Sequence, residues 1–460
     1  MFFILVFWQE SKLTDLYLFS LSFVGFGPKP FAPQEAREII LTLSRPAIFT
    51  DMASDWPASH WTVGYLSNLL GGNHMRFRIG RRHADPAPQF ETDCPYIQAT
   101  LQQFQDWIRG ASECDTGTFQ HYNISDYWAY ADYKYLAQVF GDRPQILKDV
   151  VWADFGFPGR DGMKSTLWVG SSGANTPCHI DSYGCNLVLQ VEGRKTWHLF
   201  PPEDTAYLYP TRIPYEESSV FSKVNVLNPD WRRLPLFSKA HPHVVTLHPG
   251  QVLFVPSRWW HYVESVDDIT VSVNTWIELD SDHAARVEEA VTRMVVCAFK
   301  STSSSVHDWL NPTEDEVTSH ETNLLYLNQA LVASAEHRAR RAEGSCRPQS
   351  PASKKAKLDA DEATDLCTQR PPFGKHLLPV APGPPAAALR GEDAGSIVCG
   401  EDCAQPPNHS QDAPQTPQGA SDPGAPPASQ TVSSDEVLDC LVNPRVIRLV
   451  TQLLLEKQIP

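Results

Sequence analysis

Six short runs rich in β-branched and aromatic residues follow one another through the middle of the chain: Ser165–Val169, Cys185–Val191, Lys195–Phe200, His243–Leu247, Val252–Val255 and Ile269–Trp276, with turn residues between them. Runs this short cannot bury a core one by one. They must close on one another, which predicts a mainly β protein with a small barrel or jelly roll at its centre. All 13 tryptophans of the 460-residue chain lie at or before Trp309. Length alone would allow about two or three average domains, but the tryptophans place the packed structure in one unit from about Pro30 to Lys300.

Behind the strands the period changes. Asp282–Phe299 carries Ala284, Val287, Ala290, Val291, Met294 and Val295 close to a helical repeat, and Asn323–Ala342 reads as a second helix. This helical extension, 301–343, is expected to pack on the barrel or to form a homodimer contact. From 344 to 430 the composition collapses to Pro, Ala, Gly, Ser, Asp and Gln. Such a stretch buries too little apolar surface to offset its chain entropy and is expected to be a disordered, Pro-rich linker. Residues 431–460 recover a helical pattern. Ser433 and Glu436 have capping-box spacing, and Leu438, Leu441, Ile447, Leu449 and Leu453 form apolar faces. This hairpin either docks a partner or folds back on its own core.

Residues 1–28 are atypical. The first eight are apolar, but no positive charge precedes them, and Glu10, Lys12 and Asp15 break the run before it could span a bilayer. The reading is a variant start or a buried edge segment, with no membrane partner. A formal net charge of −16 makes nucleic acid a poor first partner. Ten irregularly spaced cysteines without a CxxC pair fit reduced, intracellular usage. The expected location is cytoplasmic. Lys354, Lys355 and Lys357 behind the arginines of 338–341 keep a nuclear import signal open.

The chemistry sits in two strings. In Thr176-Pro177-Cys178-His179-Ile180-Asp181 the histidine and aspartate are two apart, so on a strand both face the same side. In Gly250-Gln251-Val252-Leu253-Phe254-Val255-Pro256-Ser257-Arg258-Trp259-Trp260-His261 a turn glycine, an apolar strand and a proline deliver a histidine to the end of a strand. Two histidines and a carboxylate on one face leave coordination positions open for a chelating cosubstrate and O2, the arrangement of non-haem Fe(II) oxygenases. Asp181 in the middle position favours this over a Zn²⁺ or Mn²⁺ cupin isomerase. A 2-oxo diacid would leave its far carboxylate buried, where it needs a cation and donors. Lys195 and Thr176 are the candidates, although spacing alone does not separate Lys195 from Arg194.

Three strings together resemble the JmjC hydroxylases of the factor-inhibiting-HIF type: RPAIFTDMASDWPASHW (Arg45–Trp61), TPCHIDSYGCNLVLQVEGRKTWHLFPP, and GQVLFVPSRWWHYVESVDDITVSVNTW. The resemblance covers about Lys29–Phe299. It implies a double-stranded β-helix (cupin) domain over 29–300. It also implies Fe(II) held by His179, Asp181 and His261 as the catalytic centre, and 2-oxoglutarate held by Lys195 and Thr176. Asn186 and Asn274 would lie near the iron and cosubstrate, and Trp276 would form a wall. One more residue separates Asp181 from Asn186 than in the family pattern. The family's cosubstrate tyrosine falls nearest to Phe119 or Tyr122. The implied reaction is O2-dependent hydroxylation of a protein side chain, with methyl-lysine demethylation as the same chemistry. The whole string looks most like members associated with small heat-shock proteins, which implies such a partner and a link to the stress response. The competing expectation is a non-catalytic adaptor that binds small heat-shock proteins on an oxygenase-like scaffold.

Overall fold

The structure is a computed structural model and describes residues 28–82, 86–110, 115–300, 318–345, 373–389 and 433–457. The apolar segment 1–27 and the basic cluster at Lys354–Lys357 lie outside them. Fifteen strands are described: β1 (Ala47–Phe49), β2 (Met75–Arg81), β3 (Tyr96–Ala99), β4 (Tyr127–Tyr135), β5 (Thr166–Ser171), β6 (Asn175–Asp181), β7 (Cys185–Glu192), β8 (Lys195–Phe200), β9 (Pro210–Glu216), β10 (Ser219–Ser222), β11 (His243–Leu247), β12 (Val252–Val255), β13 (Trp260–Ser265), β14 (Ile269–Ile277) and β15 (Leu377–Pro379). They form two antiparallel sheets. One has nine strands in the order β15-β1-β12-β7-β14-β5-β4-β2-β3, the other six in the order β11-β8-β13-β6-β10-β9. From β5 to β8 and again from β11 to β14 consecutive strands alternate between the sheets, which is the winding of a double-stranded β-helix.

The six strand runs read from the sequence coincide with β5, β7, β8, β11, β12 and β14. Around them helices α1 (Pro33–Thr42), α2 (Val63–Leu70), α3 (Leu101–Arg109) and the single turn α4 (Leu136–Val139) cover the nine-stranded sheet. Their buried residues join β-strand side chains in the largest core, where Trp56, Trp61 and Trp152 are almost wholly covered. Close approach decides one position there. A Cβ on Gly80 would meet Trp128 Cζ2 at 1.9 Å, so the indole lies directly on the glycine of the neighbouring strand.

One expectation changes, and one open alternative is resolved. The stretch 344–430 is not wholly without structure. Residues 373–389 run as a strap from the edge of one sheet to the edge of the other. Leu377–Pro379 pair with Ala47–Phe49. Further on, Pro382 bridges His243, and the amide of Gly383 donates to Pro242 O at 2.7 Å. Leu377, Val380 and Ala386 are buried. Composition misled because these few apolar residues need no core of their own; they borrow an existing one and cover an open sheet edge. Pro379 is tolerated because an edge strand leaves one side unpaired.

The terminal hairpin folds back on its own chain. Helices α5 (Asp282–Lys300), α6 (His320–Ser345), α7 (Ser434–Leu441) and α8 (Pro444–Lys457) pack together. Leu438 and Val442 bury against Tyr215 and Val296, and Ile447 against Val287, Val291, Leu327 and Leu331. Ser433 caps α7 with the expected capping box: Glu436 N donates to Ser433 Oγ at 3.2 Å and Ser433 N to Glu436 Oε2 at 2.8 Å.

Candidate metal centre

Strands β6 and β13 lie side by side in the six-stranded sheet with His179 opposite His261. Asp181 follows two residues after His179, on the same side of its strand. The two imidazole rings are 4.1 Å apart between centroids. Ligand atoms of His179, Asp181 and His261 all lie within 4.8 Å of one another, the one grouping of this kind among the described residues. Both histidines are fixed from behind: His179 Nδ1 is 2.9 Å from Pro177 O and His261 Nδ1 is 3.0 Å from Trp259 O. A carbonyl can only accept, so Nδ1 carries the proton on each ring and the Nε2 lone pair is left for a metal. Burial pushes both imidazoles down to about 4, His179 also through the neighbouring His261. They are therefore neutral at physiological pH, the form that binds metals. Burial alone raises the Asp181 carboxyl, opposed by His179 and by Trp276 Nε1, which donates to Oδ2 at 3.2 Å.

Behind the triad, between the two sheets, lies Lys195. Its Nζ donates to Tyr130 Oη at 3.1 Å and to Ser272 Oγ at 3.0 Å, so this one side chain spans from β8 to β4 and β14. Only 2% of Lys195 is exposed. Burial pushes its ammonium down to about 7. Thr176 reaches the same end, where its hydroxyl hydrogen-bonds that of Tyr130. Arg194, the alternative cation, points outward to Asp267 at 2.7 Å on the surface.

Asn186 and Asn274 meet across β7 and β14. Asn274 Nδ2 donates to Asn186 Oδ1 at 2.9 Å, and Trp168 Nε1 donates to Asn274 Oδ1 at 2.8 Å. The extra residue between Asp181 and Asn186 is taken up in the turn, where Gly184 has φ +78° and sits so close to Ile277 O that a Cβ would lie 2.9 Å from it. Trp276 is half-buried beside Asp181, which makes this side of the centre its open one. Arg160 holds that wall by donating to Trp276 O at 2.7 Å and to Thr275 Oγ1 at 3.0 Å.

The structure corrects one placement. Neither Phe119 nor Tyr122 meets Lys195. Phe119 is wholly buried between Phe77, Phe104 and Trp107, and Tyr122 packs on Tyr127. The tyrosine at Lys195 is Tyr130. It was missed because β4 was not read as a strand, yet Trp128, Tyr130 and Asp132 alternate along it as one face. Ser272 was legible in retrospect, since it shares a strand face with Asn274 and Trp276.

A two-histidine, one-carboxylate face that could hold a metal, set inside a double-stranded β-helix, is the architecture of a cupin. The chain belongs to the JmjC-type cupin family, whose model, described as "Cupin-like domain", matches residues 33–283. It is similar to HSPB1-associated protein 1 of Rattus norvegicus, at 51% identity over 455 residues covering 93% of this chain and 94% of that protein. The protein of the same name from Homo sapiens is 50% identical over 463 residues, covering 93% and 94%. A more distant relative is lysine-specific demethylase 8 of Danio rerio, 30% identical over 249 residues, which cover 52% of this chain and 55% of that protein.

Proposed function

We propose that this chain is an Fe(II)- and 2-oxoglutarate-dependent protein hydroxylase, with His179, Asp181 and His261 as iron ligands and Lys195 as the partner of the cosubstrate's far carboxylate. Lys195 carries the reading. A lysine this deep among hydroxyls, with its charge disfavoured by burial, is costly unless an anion joins it. The donor set fits the metal as well: two neutral imidazoles with locked tautomers and one carboxylate suit Fe(II) with positions left open.

When bound, iron and 2-oxoglutarate supply the oxidation, in which O2 and the 2-oxo acid are consumed, CO2 and succinate leave, and a substrate C–H becomes C–OH. The chain's own residues prepare that chemistry. Pro177 O and Trp259 O hold the two rings in the ligating tautomer. Trp276 steadies Asp181. Lys195, Tyr130, Thr176 and Ser272 anchor the diacid at the dry end and fix its direction. Asn274 occupies the Asn186 carbonyl, which leaves the Asn186 amide nitrogen to meet a ligand oxygen. Substrate enters on the half-exposed side at Asp181 and Trp276.

The substrate is a protein side chain. Removal of a methyl group from lysine would use the same centre, and a relative bears a demethylase name. The relatives' name supports a small heat-shock protein as partner and a role in the stress response. The cysteines described, Cys94, Cys178, Cys185, Cys297 and Cys440, are all free, in keeping with a cytoplasmic setting. A second reading, an adaptor for small heat-shock proteins, draws on the apolar side chains that α7 and α8 leave outward, Leu441, Leu449 and Leu453 among them.

The test incubates purified protein with Fe(II), ascorbate, 2-oxoglutarate and a small heat-shock protein in air. Succinate release and a gain of one oxygen in the partner's mass are expected, both lost in His179→Ala, while capture of the partner persists. Equal succinate from His179→Ala and wild type would refute the enzyme reading. Capture with neither signal would favour the adaptor.

A further inference from the structure

The indole ring of Trp197 belongs to the apolar cluster with Val188, Leu199, Leu253 and Val263, but its N–H serves no contact among the described residues. The residue is 5% exposed, and its Nε1 is fully buried with no hydrogen-bond partner among the described residues. A buried N–H left unpaired loses its hydration without compensation, so native proteins rarely keep one without a reason. Its position suggests the reason. On β8, Trp197 stands two residues from Lys195, so both project from the same face into the space between the sheets. Along the neighbouring strand β13, Lys195 is level with Ser265, Trp197 with Val263, and Leu199 with the ligand His261. On β6 the Val263 level is that of Thr176. Trp197 therefore sits midway between the lysine end and the metal end, at the depth a bound diacid would occupy. Its ring stacks on that of His261, with centroids 5.8 Å apart and planes 29° from parallel.

We propose that the Trp197 N–H is a further cosubstrate ligand, donating to an oxygen of the 2-oxo-acid end beside the metal. The proposal rests on the 2-oxoglutarate reading above. It divides the donors: Lys195, Tyr130 and Thr176 take the far carboxylate, and Trp197 serves the near end together with Asn186. A phenylalanine at 197 would keep a ring against His261 and lose only the donor.

The experiment uses the full chain loaded with Zn²⁺, a redox-inert stand-in that avoids turnover. Calorimetry follows 2-oxoglutarate, and separately oxalate, which has the metal-chelating end but no far carboxylate arm. Trp197→Phe is expected to weaken both ligands about tenfold, the scale of one lost hydrogen bond to a charged group. Lys195→Met is expected to weaken 2-oxoglutarate and leave oxalate unchanged. In ¹⁵N-tryptophan spectra of the wild type, the indole signal absent from Trp197→Phe should move downfield and exchange more slowly with either ligand. That readout remains if Trp197→Phe fails to fold, because each tryptophan can then be assigned by milder substitution of its neighbours. Wild-type binding with an unmoved Trp197 signal, or equal affinities in Trp197→Phe, would overturn this proposal alone. No binding of 2-oxoglutarate by folded, metal-loaded wild type would instead overturn the reading beneath it.

Discussion

The two clusters between the sheets, the triad and the one around Lys195, are built by opposite means. At the metal end, His179, Asp181 and His261 come from two strands that are hydrogen-bonded neighbours, with the histidines directly opposite each other. At the lysine end, Lys195 from β8 meets Tyr130 from β4 and Ser272 from β14, and Thr176 from β6 joins through Tyr130, so four strands of both sheets contribute to one small network. The metal end depends on local pairing and a fixed tautomer. The lysine end depends on the sheets keeping their spacing. Lesions at the first should be all-or-none for metal, whereas those at the second should be graded and spare the metal.

The sharpest contrast comes from deleting a ligand. His179→Ala or His261→Ala should reduce iron retained after anaerobic dialysis to background, as read by a chelator assay. Lys195→Met should retain iron fully and weaken 2-oxoglutarate by about 30- to 5000-fold, since truncating one partner of a buried charge pair costs about 2–5 kcal/mol; equal loss of iron in both variants would erase the distinction. The lysine end alone should also respond to pH. Lys195 in the free protein titrates near 7 through burial, and a bound carboxylate must raise that value. Below about 7 the ammonium is already present. Above it, binding must take up a proton, so affinity should fall by up to about tenfold per pH unit until the raised pKa is passed. A flat profile from pH 6.5 to 9 would contradict this ordering of charges; His179 and His261, pushed down to about 4, contribute nothing in that window.

Tyr130→Phe removes one hydroxyl from the lysine end and should cost about tenfold or less in 2-oxoglutarate affinity. Tyr122→Phe should cost nothing there, which checks the corrected tyrosine. The smallest effect on the site belongs to the strap. Leu377→Ala should lower stability to urea by about 2–3 kcal/mol, in the range for a buried leucine, with cosubstrate affinity unchanged.

The same contrast explains what the sequence disclosed. A two-residue spacing on one strand and a histidine at the end of another are visible in linear order, so the triad could be read directly. A buried diacid requires a cation, and the segment after Gly193 offers both Arg194 and Lys195; the fold separates them, since Arg194 pairs with Asp267 at the surface and Lys195 is buried. Tyr130 could not be read that way, because its partner lies 65 positions away and only the sheet order brings them together. Composition was equally blind to 373–389. The residues that dock, Leu377, Val380 and Ala386, are scattered among prolines and are explained by the sheet edges they cover. The terminal hairpin's apolar faces were legible, but whether they met a partner or the chain itself depended on α5 presenting Val287, Val291 and Val296 to them.

The most direct test is an anaerobic titration of the full chain with Fe(II) and then 2-oxoglutarate, followed through the visible metal-to-ligand charge-transfer band. The account predicts a band in wild type, the same band reached only at much higher 2-oxoglutarate in Lys195→Met, and none in His179→Ala. A folded wild type that retains Fe(II) but gives no band, or a Lys195→Met protein that titrates at the wild-type concentration, would contradict it.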